Sequence, residues 1–272
     1  MTEEFKHLRA VVLDWAGTTV DHGSCAPASV FVETFRRKGV VITLAQAREP
    51  MGRAKRDHIA AIAAMPEVAQ AWKTAHGSSC SEDDIDEMYH GFLPLQKEAL
   101  ANGSDVIDGV PESVNWCRQR GLKIGSSTGY TPELMQTVLS VARVQGYEPD
   151  CVLCAGDAPR GRPAPFMLYQ AAIQLDVWPM WSVVKVDDTP VGIEAGRNAG
   201  CWTVGVTRTG NCVGLSAEEI ARHDPEEVRV LCESAAERLR AAGAHAVLES
   251  VADLPGLLLQ LEQRAAQGEK PV

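Results

Sequence analysis

Val11-Val12-Leu13-Asp14-Trp15-Ala16-Gly17-Thr18-Thr19-Val20 is the stretch that decides the fold. Its first three residues are apolar without alternation, the pattern of a strand covered on both faces. The run delivers one carboxylate, Asp14, into a glycine-containing turn. Open α/β sheets bind their ligands beyond the carboxyl ends of their strands, so Asp14 is placed where chemistry is done.

Working outward, the same short apolar pattern returns. Strands are expected over 8–14, 122–127, 151–155, 182–187, 201–206 and 246–249. Amphipathic helices are expected between them, over 111–120, 132–144, 163–175, 191–199 and 225–242. Several open on proline, which suits the first helical turn. Gly121 and Gly200 stand where helix C-terminal glycines belong. Alternating strands and helices imply a doubly wound parallel sheet, an α/β fold. Residues 23–104 break the alternation. They carry helical pattern only, over 27–37, 57–64, 67–75 and 82–101, with hinges expected near 21–25 and 102–108. Residues 265–272 read as a frayed tail.

The chain has 272 residues, enough for a core domain with a sizeable insertion. It carries 26 basic against 36 acidic residues, a formal charge of −10. That balance, without any Lys/Arg tract, disfavours nucleic acid and anionic membrane as partners. No apolar run reaches membrane-span length, and the first six residues lack a signal-peptide pattern, so a cytoplasmic location is expected. The eight cysteines are expected to be reduced. Cys151-Val152-Leu153-Cys154 has redox or zinc spacing, but with no second pair it reads better as a buried strand.

Five blocks, in order, resemble the phosphonoacetaldehyde hydrolase (phosphonatase) family of the haloacid dehalogenase (HAD) superfamily. They are Asp14-Trp15-Ala16-Gly17-Thr18-Thr19-Val20-Asp21, Glu49-Pro50-Met51-Gly52-Arg53-Ala54-Lys55-Arg56-Asp57-His58, Lys123-Ile124-Gly125-Ser126-Ser127-Thr128-Gly129-Tyr130-Thr131, Gly161-Arg162-Pro163 and Gly196-Arg197-Asn198-Ala199-Gly200. The resemblance runs from about residue 8 to about residue 207. It implies a Rossmann-like HAD core, residues 1–22 and 105–272, with an inserted α-helical cap domain, residues 23–104.

It also implies roles. Asp14 matches the nucleophile that forms an aspartyl-phosphate. Asp188, with Asp14 and the backbone carbonyl of Ala16, would hold Mg2+, a cation that takes oxygen ligands and keeps several waters. Thr128 and the Gly129 N–H match the phosphoryl-binding positions, with Ser126 and Ser127 as rival hydroxyls. Arg162 stands where most HAD enzymes place lysine, and its planar fork suits a phosphoryl group. Lys55 matches an amine that condenses with an aldehyde, which requires a lowered pKa; burial under a closed cap or the flanking positive charges of Arg53 and Arg56 would lower it. His58, three residues on, is either a proton relay or a packed structural histidine. Met51 and Tyr130 would line the aldehyde pocket, and the Gly52 turn would let the Lys55 segment approach the core.

Three departures stand out. Ester-cleaving HAD enzymes carry an aspartate at position 16 to protonate a leaving oxygen; here it is Ala16. In Lys185-Val186-Asp187-Asp188-Thr189, Asp187 takes a place often held by glycine and is expected beside the metal ligands. Gly192 takes a place where many HAD enzymes have an acid. A protonated imine on Lys55 would accept the electrons of a carbon–phosphorus bond, so no acid at position 16 is needed. The implied reaction is hydrolysis of phosphonoacetaldehyde to acetaldehyde and phosphate, in 2-aminoethylphosphonate degradation. The alternatives are a HAD-type phosphatase acting on a small phosphate ester and a catalytically silent scaffold. The resemblance further implies a homodimer. The apolar stripe Val30, Phe31, Val32 and Phe35 would serve either that dimer or the protein's own core.

Overall fold

The computed structural model describes residues 4–271; Met1–Glu3 of the acidic N-terminal stretch and Val272 of the tail lie outside the described residues. Six strands, β1 (Ala10–Leu13), β2 (Lys123–Ser127), β3 (Cys151–Leu153), β4 (Val183–Asp187), β5 (Trp202–Val206) and β6 (Ala246–Leu248), form one parallel sheet. Their order is β3-β2-β1-β4-β5-β6. All six expected strands are present, each one to three residues shorter than the apolar run that announced it. Register fixes the site. Leu13 pairs with Ser126 on one side and Val186 on the other. Asp14 therefore leaves the sheet level with Ser127 and Asp187, at the point where strand order reverses.

Among the described residues six helices lie between β1 and β2: the inserted α1 (Cys25–Arg37), α2 (Leu44–Arg48), α3 (Lys55–Ala63), α4 (Pro66–His76) and α5 (Glu82–Asn102), and then α6 (Val110–Arg118). Six follow β2: α7 (Pro132–Val144), α8 (Phe166–Gln174), α9 (Pro190–Ala199), α10 (Ala217–Arg222), α11 (Pro225–Ala241) and α12 (Leu254–Ala266). Val11 and Leu13 face a core shared with α6, α7 and α12. Ala10 and Val12 face a second core with α8 and α9. Both faces of β1 are thus covered, which is why its sequence shows no alternation.

The inserted helices enclose an apolar cluster of their own, centred on Phe31, Phe35, Ile59, Trp72 and Phe92. Of the two uses open to the α1 stripe, the inward one is observed: Val30, Phe31 and Phe35 are buried in this cluster and Val32 is partly buried against it. The two connections run antiparallel, with Asp21 N–H donating to Asp105 O at 3.0 Å and Ile107 N–H to Thr19 O at 3.0 Å.

Some elements were not expected. The short α2 is held by a reciprocal Thr43–Gln46 capping box. The helix expected from 163 begins at Phe166, because Ala164 N–H first closes a turn on Gly161 O. The tail is more ordered than its composition suggests. Ala265 and Ala266 complete α12, Arg264 pairs with Glu269, and Lys270 Nζ lies 5.5 Å from the Trp181 ring. The Glu262 carboxylate on α12 also accepts from the backbone N–H groups of Lys6, His7 and Leu8, which ties this helix to the start of β1. Among the described residues, no helix is long and apolar enough to cross a membrane.

Candidate active site

The strand ends bring three carboxylates together. Asp14, Asp187 and Asp188 are buried, and each can offer an oxygen within 4.8 Å of the others. Thr18 Oγ1 donates to Asp188 Oδ1 at 3.0 Å, and Asn211 N–H donates to Asp188 Oδ2 at 2.7 Å. Gly17 is needed here: its φ is +80°, and a Cβ would stand 2.3 Å from Asp188 Oδ2. Burial, reinforced by Asp14 and Asp187, pushes the Asp188 carboxyl well above its usual range. Asp14 and Asp188, buried hard oxygen donors that repel each other, fit a divalent cation such as Mg2+.

Arg162 supplies positive charge from the loop after β3. Its Nη2 lies 2.7 Å from Asp14 Oδ1, and the same nitrogen donates to Ser127 O and, at 3.1 Å, to Ser127 Oγ. Its Nη1 lies 3.3 Å from Asp187 Oδ2. Arg162 Nε is buried without a hydrogen-bond partner. Of the three rival hydroxyls, Ser126 Oγ is turned to Cys151 O and Ser127 Oγ to Arg162; Thr128 lines the pocket with Asp14 and Gly129.

The inserted helices close the pocket from above. Lys55, the first residue of α3, is buried in the pocket that also contains Asp14, Ala16, Met51 and Tyr130. Its Nζ lies 4.6 Å from the Tyr130 ring centroid and 5.6 Å from that of Phe31. Burial lowers the Lys55 amine to about 8, and Arg162 pushes the same way against Asp14 and Asp21. Of the two expected causes, burial is the one observed, and the flanking arginines are not. Arg56 points outward into ion pairs with Glu82 and Asp86, and Arg53 is not among the groups that lower Lys55.

His58 is packed. Its Nε2 is 2.8 Å from Ala47 O, and its ring stacks on Phe31 with centroids 3.7 Å apart. Burial, then Lys55, drives it well below the usual histidine range, so it is neutral. Its Nδ1 has no hydrogen-bond partner. The Tyr130 hydroxyl is likewise buried and unpartnered.

Close backbone approach locks the two layers together. Gly52 has φ +92°, and a Cβ there would stand 2.5 Å from Thr189 Oγ1. A Cβ on Gly129 would stand 2.6 Å from Arg53 O. The space between the two layers is small, about 20 Å³, enough for a water molecule.

Three functional features escaped the sequence reading. Lys185, in the middle of β4, is fully buried and lies 2.8 Å from Asp187 Oδ2; a lysine inside an apolar strand was a readable signal. Arg48 of α2 donates to Gly23 O at 2.7 Å, to Gly214 O at 2.9 Å and to Asn211 Oδ1 at 3.1 Å. Asn211 Nδ2 returns a bond to Arg48 O at 3.1 Å while Asn211 N–H holds Asp188. Asn211 follows β5 at the carboxyl edge and could have been found there; nothing local marks Arg48. Asp21, where the chain leaves for the helices, accepts from the N–H groups of Cys25 and Ala26, and burial raises it to about 7.

The haloacid dehalogenase-like hydrolase family matches residues 8–200. The phosphonoacetaldehyde hydrolase of Paraburkholderia phytofirmans is 47% identical over 98% of this chain and 100% of its own length. That of Bacillus cereus is 43% identical over 94% and 97%. The crystal structure of a phosphonoacetaldehyde hydrolase-like protein from Oleispira antarctica superposes with a TM-score of 0.96 at 41% identity, covering 100% of this chain and 98% of that one. A β-phosphoglucomutase from Clostridium difficile shares the fold alone, with a TM-score of 0.67 at 16% identity. With near full-length identity of this order joined to a charged sheet edge facing a buried lysine, the chain belongs to the phosphonoacetaldehyde hydrolase family of haloacid dehalogenase-like hydrolases.

Proposed function

We propose that the protein hydrolyses the carbon–phosphorus bond of phosphonoacetaldehyde, giving acetaldehyde and phosphate. The observation that carries this reading is the placing of Lys55 and Asp14 in one closed pocket with Ala16 between the strand end and the helices. An amine held near 8 spends part of its time neutral at physiological pH and can add to an aldehyde.

Lys55 Nζ attacks the aldehyde carbon and, with loss of water, forms a protonated imine. His58, packed one helical turn away with Nδ1 unpartnered, is the group placed to relay protons in that step. An Asp14 carboxylate oxygen then attacks phosphorus. The carbon–phosphorus electron pair moves into an enamine, with the iminium nitrogen as sink. Thr128, the Gly129 N–H and Arg162 hold the phosphoryl oxygens; Met51 and Tyr130 pack the carbon end. Water hydrolyses the aspartyl-phosphate. The enamine is protonated on carbon, and hydrolysis of the imine releases acetaldehyde and Lys55. Mg2+, held by Asp14, Asp188 and the Ala16 carbonyl, would offset repulsion between the nucleophile and the anionic phosphonate.

The proposal includes a division into core (1–22 and 105–272) and cap (23–104), supported by the separate apolar cluster of the inserted helices. It extends to a cytoplasmic homodimer working in 2-aminoethylphosphonate breakdown; light scattering in solution checks the dimer. The decisive experiment is borohydride reduction with acetaldehyde or phosphonoacetaldehyde, followed by peptide mapping. A reduced adduct on Lys55 with loss of activity is expected. Phosphate release from esters with no lysine adduct would move the protein to ordinary phosphatase chemistry.

A further inference from the structure

Two departures in the fourth strand's motif, Asp187 and Gly192, are five residues apart in sequence and one event in space. A Cβ built on Gly192 would stand 2.0 Å from Asp187 Cγ and 2.1 Å from each of its carboxylate oxygens. Real contacts are never that short, so the Asp187 carboxylate occupies the volume that any side chain at 192 would need. Gly192 is bare because Asp187 fills its place.

The Asp187 carboxylate is hydrogen-bonded through one oxygen and faces two cations with the other. Oδ1 accepts from Thr189 N–H at 3.0 Å and from Thr189 Oγ1 at 2.7 Å. Oδ2 faces Lys185 Nζ at 2.8 Å and Arg162 Nη1 at 3.3 Å. A divalent ion on that oxygen would meet two resident positive charges, so Asp187 makes a poor metal ligand despite its distance from Asp14 and Asp188. What it does touch is the guanidinium that bonds the nucleophile. Arg162 is hydrogen-bonded through Nη2 to Asp14 and Ser127 and faces Asp187 through Nη1 at ion-pair distance, while neither Nη1 nor Nε has a hydrogen-bond partner.

We propose that Asp187 is a positioning residue: admitted by Gly192, its carboxylate fixes Arg162 so that one edge meets Asp14 and the Nε edge receives the phosphoryl group. Lys185 neutralises the added charge from behind. This rests on the phosphonate reading above, and the test separates the two. Phosphonoacetaldehyde turnover by the native protein comes first; its absence would overturn the reaction. Binding of inorganic phosphate and of Mg2+, followed by calorimetry, examines Asp187 whether or not turnover is seen.

Three variants are compared. D187N is expected to lower kcat about 100-fold, the scale of an ångström-sized misplacement, to weaken phosphate binding and to leave Mg2+ affinity unchanged. K185M/D187N buries no unpaired cation, so it keeps the question answerable if D187N does not fold; it is expected to stay as impaired as D187N. D187G/G192D returns a carboxylate to the same volume from the helix side and is expected to regain at least about tenfold of the lost kcat. Native kcat in K185M/D187N would overturn the proposal, because Asp187 would then serve only to neutralise Lys185. So would loss of Mg2+ binding with phosphate binding intact, or a folded D187G/G192D no better than D187N.

Discussion

At the sheet edge Asp14, Asp187, Asp188, Arg162 and Lys185 place three negative and two positive groups within a few ångströms, nearly every one of them paired. Across the pocket Lys55 makes no ion pair among the described residues and lies over the rings of Tyr130 and Phe31. The contrast follows from what each end must do. The phosphoryl end needs fixed charges that require no rearrangement as the anion develops. The aldehyde end needs an amine stripped of its proton, and a dry aromatic environment disfavours the charged form. A shift from 10.5 to about 8 favours neutral lysine by about 3 kcal/mol.

The comparison breaks most sharply at its two nucleophiles. Asp14→Asn should lower phosphate release by at least about 10³-fold, and Lys55→Arg, which keeps charge but not nucleophilicity, should do the same. Robust turnover in Lys55→Arg, measured by phosphate release from phosphonoacetaldehyde, would sink the imine. Replacing Gly129 by alanine tests whether the two halves must touch. Its Cβ would meet Arg53 O at 2.6 Å, so the Lys55 segment should be forced outward and kcat should fall about 100-fold. Native kinetics in Gly129→Ala would show that the contact is dispensable.

The pH prediction sharpens the aldehyde side. Below about pH 8 Lys55 is protonated in both folded and unfolded chains, and the cost of burying its charge is full. Between about 8 and 10.5 the folded chain has released the proton and the unfolded chain has not, so stability rises with pH across that window. Lys55→Met should therefore be more stable than the native protein at pH 7, by up to about 3 kcal/mol, and should lose that advantage towards pH 10.5. Urea denaturation at both pH values measures it; equal stabilities at pH 7 would contradict a costly buried amine. Adduct trapping should rise through pH 8 in parallel.

Smaller effects come from the periphery. Arg48→Ala removes a strap from α2 to Gly23, Gly214 and Asn211, and should raise KM about tenfold. An unchanged KM would mean that closure does not use it. Arg56→Ala should alter turnover less than about twofold, because Arg56 is an exposed ion-pair partner of Glu82 and Asp86. A large loss there would revive the idea that neighbouring arginines depress Lys55.

Local pattern determined much of this protein. Apolar runs without alternation gave six parallel strands because both faces of the sheet are covered, and Asp14, Thr128 and Asp188 were placed at strand ends by the geometry of the turns that follow. The resemblance of motif blocks brought in Lys55 and Arg162, which pattern alone would have left as surface residues. Tertiary structure decided what depends on residues far apart in sequence. It turned Arg56 away from Lys55 and made burial and Arg162 the cause of its low pKa. It packed His58 on Phe31, turned the α1 stripe inward, and joined Arg48 to Asn211 across 163 residues. It also made Asp187 and Gly192 a single feature. Propensity and hydrophobic period act over one or two turns of chain. Desolvation and charge pairing depend on which segments the closed fold brings within a few ångströms, and no local pattern encodes that distance.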